Sequence, residues 1–226
     1  MATLGDKRAV VTGAASEPGR GLERALRDGG ASVLGLADAA YENRAGAEAA
    51  FAAAQQELGG PLDVVVHTAM PAVAYEPVDF ATVDDARWHA VWEVAMRSAL
   101  FVLQAAHGQM SGRGGSVVMV TPTVAMSGAA RLVPYTTAVE GQRLLAKAAA
   151  RQWGPDGIRV NCLAPAPEHV PIGVDSMSVS LAAPALGGPG DVEADLGPVV
   201  VWLASDAAHF VTGATVCADG GVWMAP

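Results

Sequence analysis

The sequence predicts an α/β fold, a doubly wound parallel sheet of about six strands held between two helical layers. Three observations carry that expectation. Short apolar runs alternate with longer helix-forming runs from one end of the chain to the other. The strand candidates are apolar along their length, as in Leu62-Asp63-Val64-Val65-Val66, which marks strands covered on both faces. Hydrophobic residues make up 51% of the 226 residues and charged ones only 16%, ample material for a core. No internal repeat or linker interrupts the pattern, so residues 1–226 are read as one domain.

Taken in order, Ala9-Val10-Val11 is a strand running into Thr12-Gly13, and a helix follows from Gly19 to Asp28, stopped by Gly29-Gly30. Ser32 to Leu36 is the second strand. Glu42 to Leu58 is Ala-rich, free of proline and closed by Gly59-Gly60, hence a helix. Leu62 to Val66 is a strand, Asp84 to Met110 a long helix, Ser116 to Thr121 a strand, and Tyr135 to Trp153 a helix ended by Gly154-Pro155. Ile158 to Cys162 is a strand, Asp191 to Ala204 a helix that Pro198 bends or delays, and Ala214 to Ala218 the last strand. The stretch from Ala164 to Gly190, rich in Pro, Gly and Ser, is the loosest and lies where a loop covers the crevice of such folds.

Charge narrows the function. Asp and Glu total 23 against 14 Lys and Arg, a formal charge of -9, so nucleic acid and anionic membrane surfaces are not expected partners. So few charges cannot cover the whole surface, which predicts burial of more than one face in an oligomer. The longest uncharged run, Gly114 to Ala130, is broken by Gly, Ser, Thr and Pro and is too short to span a bilayer. The residues from Met1 to Arg8 carry no apolar targeting run. Cys162 and Cys217 stand at no motif spacing, so neither disulfides nor a metal site is expected, and the cytoplasm is the default location.

Several phrases together resemble the short-chain dehydrogenase/reductase (SDR) family over essentially the whole chain. They are Val11-Thr12-Gly13-Ala14-Ala15-Ser16, Leu62 to Val66, Trp88 through Phe101, Tyr135-Thr136-Thr137-Ala138, Gly157-Ile158-Arg159-Val160-Asn161 and Phe210-Val211-Thr212-Gly213-Ala214 with Asp219-Gly220-Gly221. The resemblance implies a Rossmann-like sheet, an NAD(P) cofactor and an Asn-Ser-Tyr-Lys tetrad, and each implied position can be read here. In the dinucleotide turn, Thr12, Gly13 and Gly19 match, but the middle glycine is Glu17, followed by Pro18. A carboxylate about 4 Å from a phosphate costs on the order of 4 kcal/mol at an effective dielectric of about 20. That weakens binding roughly a thousandfold, unless Glu17 swings into solvent and only caps the helix.

The adenosine side departs further. The position of the acidic ribose ligand falls on Ala37, with Asp38 one residue late. The stretch 38–61 has room for one helix where the family has two helices and a strand, so an edge strand and its helix are deleted by length. His67-Thr68-Ala69-Met70 replaces the family's Asn-Asn-Ala-Gly, setting a bulky Met70 beneath the cofactor position and offering His67 as a new acid or base. Of the tetrad only Tyr135 is present. The Asn position falls on Ala95, the Ser on Pro122 and the Lys on Val139. An unassisted tyrosine, with a pKa near 10, is ionised in only about one molecule in a thousand at pH 7. Thr121 or Thr123 could supply a hydroxyl after a register slip, and Glu168 and His169 are new polar residues beside the crevice, where Val170 takes the carboxamide-binding position.

Three readings follow. The leading one is a degenerate family member without NAD(P) or hydride transfer, a structural subunit that pairs with an intact relative or with itself. Its surfaces would be helices 84–110 and 135–153 and the last strand, with small residues such as Ala99, Ala106, Ala146 and Ala150 suited to close packing. The second is a cofactor-independent lyase, isomerase or hydrolase using Tyr135, Thr123, His67 and His169, for which the family's halohydrin dehalogenases set a precedent. The third is an atypical NAD(P)-dependent oxidoreductase.

Overall fold

The computed structural model describes residues 3–171 and 183–224. Its strands are β1 (Arg8–Thr12), β2 (Ser32–Leu36), β3 (Val64–His67), β4 (Gly115–Val120), β5 (Ile158–Pro165) and β6 (Thr215–Ala218). Its helices are α1 (Glu17–Asp28), α2 (Arg44–Glu57), α3 (Asp85–Met110), α4 (Val133–Trp153) and α5 (Gly197–Ala204). The strands form one parallel sheet in the order β2-β1-β3-β4-β5-β6. A doubly wound dinucleotide fold runs 3-2-1-4-5-6, with a strand outside the second. Here β2 is itself the edge, and the chain returns through α2 directly to β3, as the short 38–61 connection requires.

The strand residues alternate between two cores. Val10, Val65, Val117 and Val160 stand in register across four strands and face α2, α3 and α4, where Phe51, Val102, Met110 and Ala149 pack on them. Ala9, Val11, Val64, Val66 and Val118 face the opposite way, onto Leu22 and Leu26 of α1 and Val200 and Leu203 of α5. Each fully buried side chain of this kind contributes roughly 1.5–3 kcal/mol, so both layers are firmly bound.

Local signals set the ends. Asn43 caps α2 by accepting from the Gly46 N–H at 2.9 Å. The helix expected from Glu42 starts at Arg44, and the residues before it, Asp38–Tyr41, wind into a 3-10 turn. Pro198, having no N–H to donate, coincides with a wide turn: Val192–Leu196 is a π-helix before α5 begins. β5 runs to Pro165, longer than expected, and carries the chain to the crevice before a 3-10 turn at Pro167–His169. The predicted loose stretch Ala164–Gly190 lies partly outside the described residues. No helix among the described residues is long and apolar enough to cross a membrane.

Candidate functional site

The chain steps outward from β1 to β2 and then back to β3 on the other side of β1, so a crevice opens at the carboxyl ends of β1 and β3. Thr12 and His67 stand opposite each other there. The retained residues of the β1–α1 turn are all engaged within the chain. Gly13 holds φ +73°, and a Cβ on it would lie 2.4 Å from Thr68 Oγ1 and 2.8 Å from the Ala69 nitrogen. A Cβ on Gly19 would meet the Gly13 carbonyl at 2.2 Å. Both glycines are therefore required by backbone packing alone. Thr12 Oγ1 is 2.7 Å from His67 Nδ1, with both side chains buried.

The amino end of α1 is closed in the same way. Ser16 Oγ accepts from the Gly19 N–H at 3.1 Å and donates to the Gly13 carbonyl at 2.7 Å. Pro18 brings no N–H, and Glu17 puts a carboxylate in the first turn. Helix amino ends bind phosphate through free N–H groups and a positive dipole. In this first turn one donor is missing, one is capped, and the positive end already has an anion.

Tyr41 stands on the side where the resemblance places the adenosine. It comes from the 3-10 turn that replaces the deleted strand, and only 2% of it is exposed. Its hydroxyl accepts from the Gly13 N–H at 2.9 Å and donates to Asp38 Oδ1 in a short bond. The ring meets His67 edge-on at 6.2 Å. Asp38, the carboxylate nearest in sequence to a ribose ligand, is thus held by a side chain of its own turn. Burial, then the hydrogen bond to Asp38, pushes the Tyr41 pKa upward.

Beside this plug the described residues enclose a cavity of about 500 Å³ that runs from the α1 turn to the end of β5. Tyr135, near the start of α4, lines it with 2% of its surface exposed, and its hydroxyl has no hydrogen-bond partner among the described residues. Burial raises its pKa well above the ordinary value, the neighbouring Tyr75 adds to this, and Arg143 opposes both. Arg143 lies two turns along α4 on the same face. Its guanidinium is committed to the Thr121 hydroxyl (2.9 Å), the Thr121 carbonyl (3.1 Å) and Glu140 (3.1 Å). Where a lysine would sit, one turn from Tyr135, the buried Val139 lines the cavity, and Pro122 lines it at the serine position.

The other expected residues divide. His169 and Glu168 do line the cavity, and His169 Nε2 lies 3.0 Å from the Pro189 carbonyl. Thr123 does not. It is fully buried and donates to the Pro165 carbonyl at 3.1 Å, so the register slip that would present it has not occurred. His67 is also turned away from the cavity, packed between Thr12 and Tyr41, and its Nε2 is buried without a partner. Burial lowers its pKa to about 4, so it is neutral at pH 7. The structure therefore does not bring His67 or Thr123 together with Tyr135.

Tyr41 and Arg143 are the residues sequence reasoning missed. Arg143 had one visible signal, a cation on the otherwise apolar face of α4. No lysine or arginine lines the cavity among the described residues. Among the described residues, no three His, Cys, Asp or Glu side chains are grouped to hold a metal ion.

A doubly wound parallel sheet with a glycine turn after β1, and a cavity at the switch point beside a tyrosine near the start of a long helix, defines an α/β protein of dinucleotide-fold descent. The chain belongs to the short-chain dehydrogenase/reductase family: the model described as enoyl-(acyl carrier protein) reductase matches residues 6–223. It is 32% identical over 219 residues to a cis-4-hydroxycyclohexanecarboxylate dehydrogenase of Sinomonas cyclohexanicum, covering 94% of this chain and 86% of that one. It is 30% identical over 254 residues to an L-rhamnose 1-dehydrogenase (NAD(P)(+)) of Azotobacter vinelandii, covering 97% of each. The crystal structure of a putative short-chain alcohol dehydrogenase from Sinorhizobium meliloti 1021 superposes with a TM-score of 0.84 at 26% identity, covering 97% of each chain.

Proposed function

We propose that this chain is a short-chain dehydrogenase/reductase relative that does not bind NAD(P) or transfer hydride, and that it works as a non-catalytic subunit beside an intact family member. The observation that carries the reading is Tyr41, whose hydroxyl takes the Gly13 N–H and Asp38 together at the adenosine end of the crevice. The closed amino end of α1, with Glu17 and Pro18, supports it from the phosphate side. Val139 supports it from the catalytic side, since it leaves no ammonium one turn from Tyr135, and Arg143, tied to Thr121 and Glu140, opposes but does not overcome the upward push of burial on the Tyr135 pKa. The residues present do not fit a dinucleotide.

The subunit role is supported by apolar side chains left in water. Val94 and Leu100 are exposed on α3, Leu144 is 68% exposed on α4, and Phe210 is 94% exposed just before β6. These are the elements through which the chain was expected to pair. A cytoplasmic location belongs to the same reading, supported by Cys162 and Cys217 being unpaired. The experiment is to express the chain with intact family members of the same cell and measure the mass of the purified complex. A stable complex containing one of them is the expected result. A homo-oligomer indifferent to every such partner would remove the hetero-oligomeric role.

Two further readings have their own support. The cavity shared by Tyr135, Glu168 and His169 favours cofactor-independent lyase, isomerase or hydrolase chemistry. The names of the dehydrogenase relatives favour an NAD(P)-dependent oxidoreductase, which requires Tyr41 to leave the crevice.

A further inference from the structure

The charge of the cavity is opposite to that of a dinucleotide site. Glu17 reaches it from α1, Glu168 from the turn after β5 and Asp191 from the cap of the π-helix. Asp191 accepts from the Ala194 and Glu193 N–H groups at 2.7 and 2.9 Å, which fixes its carboxylate in place. Arg24, whose field reaches Glu17 and Asp191, is paired with Glu193. Among the described residues His169 is the one basic side chain in the lining, and its Nε2 lies 3.0 Å from the Pro189 carbonyl.

Deeper in, the rings of Tyr75 and Tyr135 lie 5.5 Å apart at 46°, and both line the cavity. Electron-rich ring faces attract ammonium groups, most strongly where water is excluded. Tyr135 is 2% exposed as a residue, and its hydroxyl makes no hydrogen bond to the described residues. Met70, Val120 and Val170 supply apolar wall, and about 500 Å³ is the size of a small-molecule pocket.

We propose that this cavity binds a small organic cation, an amine or quaternary ammonium carrying a short alkyl or aryl group. Its charge sits between the carboxylates of Glu17, Glu168 and Asp191 and the rings of Tyr75 and Tyr135, and its apolar part lies against Met70 and Val170. The inference rests on the reading that no dinucleotide occupies the crevice. It gives the subunit a ligand to sense or carry.

The test is calorimetric titration of the full chain with hexyltrimethylammonium, hexanol and hexanoate, with NADH as a fourth arm. The cation is expected to bind at least about tenfold more tightly than hexanol, with hexanoate weakest. Its affinity falls as salt rises, since the carboxylates stand at the rim. The double variant Glu168→Gln/Asp191→Asn loses the preference for the cation yet still binds hexanol, a result that a merely unfolded variant cannot give. Equal binding of hexanol or hexanoate overturns the proposal, as does silence of the cation at millimolar concentration. Silence of both cation and NADH sinks this proposal alone, whereas tight NADH binding sinks the functional reading and this inference with it.

Discussion

Tyr41 holds Gly13: its phenol oxygen accepts the Gly13 N–H at 2.9 Å, across 28 residues of sequence, while its proton goes to Asp38. That donor of the β1–α1 turn is thereby satisfied within the chain. The bond also ties the shortened β2–α2 connection to the end of β1, giving the truncated edge of the sheet an anchor.

That anchor has a stability consequence. Tyr41→Phe keeps the ring and leaves the Gly13 N–H unpaired in a buried site, a loss of about 1–3 kcal/mol. Urea unfolding should show a lower midpoint with an unchanged slope. A variant as stable as the parent would mean that water or another group satisfies Gly13 equally well.

The chain has three tyrosines, Tyr41, Tyr75 and Tyr135. Burial raises all three pKa values, Tyr75 to about 12 and the other two also above the ordinary value. Absorbance titration of the folded protein should therefore show almost no tyrosinate at pH 10, where a free phenol is about half ionised. A component ionising near neutrality would reveal an activated Tyr135 and argue for catalysis.

His67 makes stability depend on acid. Its folded pKa of about 4 lies below the unfolded value of about 6.5, so the unfolded state binds more protons between those pH values. The stability present above pH 6.5 falls by about 3 kcal/mol as the pH drops to 4. His67→Phe should flatten that part of the profile, read as unfolding midpoints over a pH series. An unchanged slope would place the histidine in contact with water.

Leu144 tests the interface. Leu144→Glu puts a charge on the exposed face of α4, where it should shift the native mass towards the monomer. As a surface change it should alter the stability of the subunit itself by no more than about 0.5 kcal/mol. Unchanged mass by light scattering would move the contact to another face.

Much of the fold was legible because its signals are local. Val64-Val65-Val66 announces a strand buried on both faces, the short 38–61 stretch announces a missing edge strand, and Pro198 announces the wide turn before α5. The candidate site was legible only as departures from the family's pattern: Glu17, Pro122 and Val139 stand where that pattern has Gly, Ser and Lys. What surrounds those positions was not, because it depends on long-range approach. Nothing near Tyr41 in sequence says that a 3-10 turn will aim its hydroxyl at Gly13. Nor does the sequence distinguish a histidine lining a crevice, His169, from one locked behind it, His67. Gly13 and Gly19 read as remnants of a phosphate turn, yet the close approach of Ala69 and of the Gly13 carbonyl requires them in any case.

The central claim is that the crevice does not accept a dinucleotide, and calorimetric titration of the purified chain with NADH and NADPH at low salt tests it most directly. The account predicts no heat of binding at millimolar cofactor. A micromolar or tighter dissociation constant for either one would contradict it. That result would show that Tyr41 swings out, that Glu17 is tolerated, and that a carbonyl or alcohol substrate should be sought.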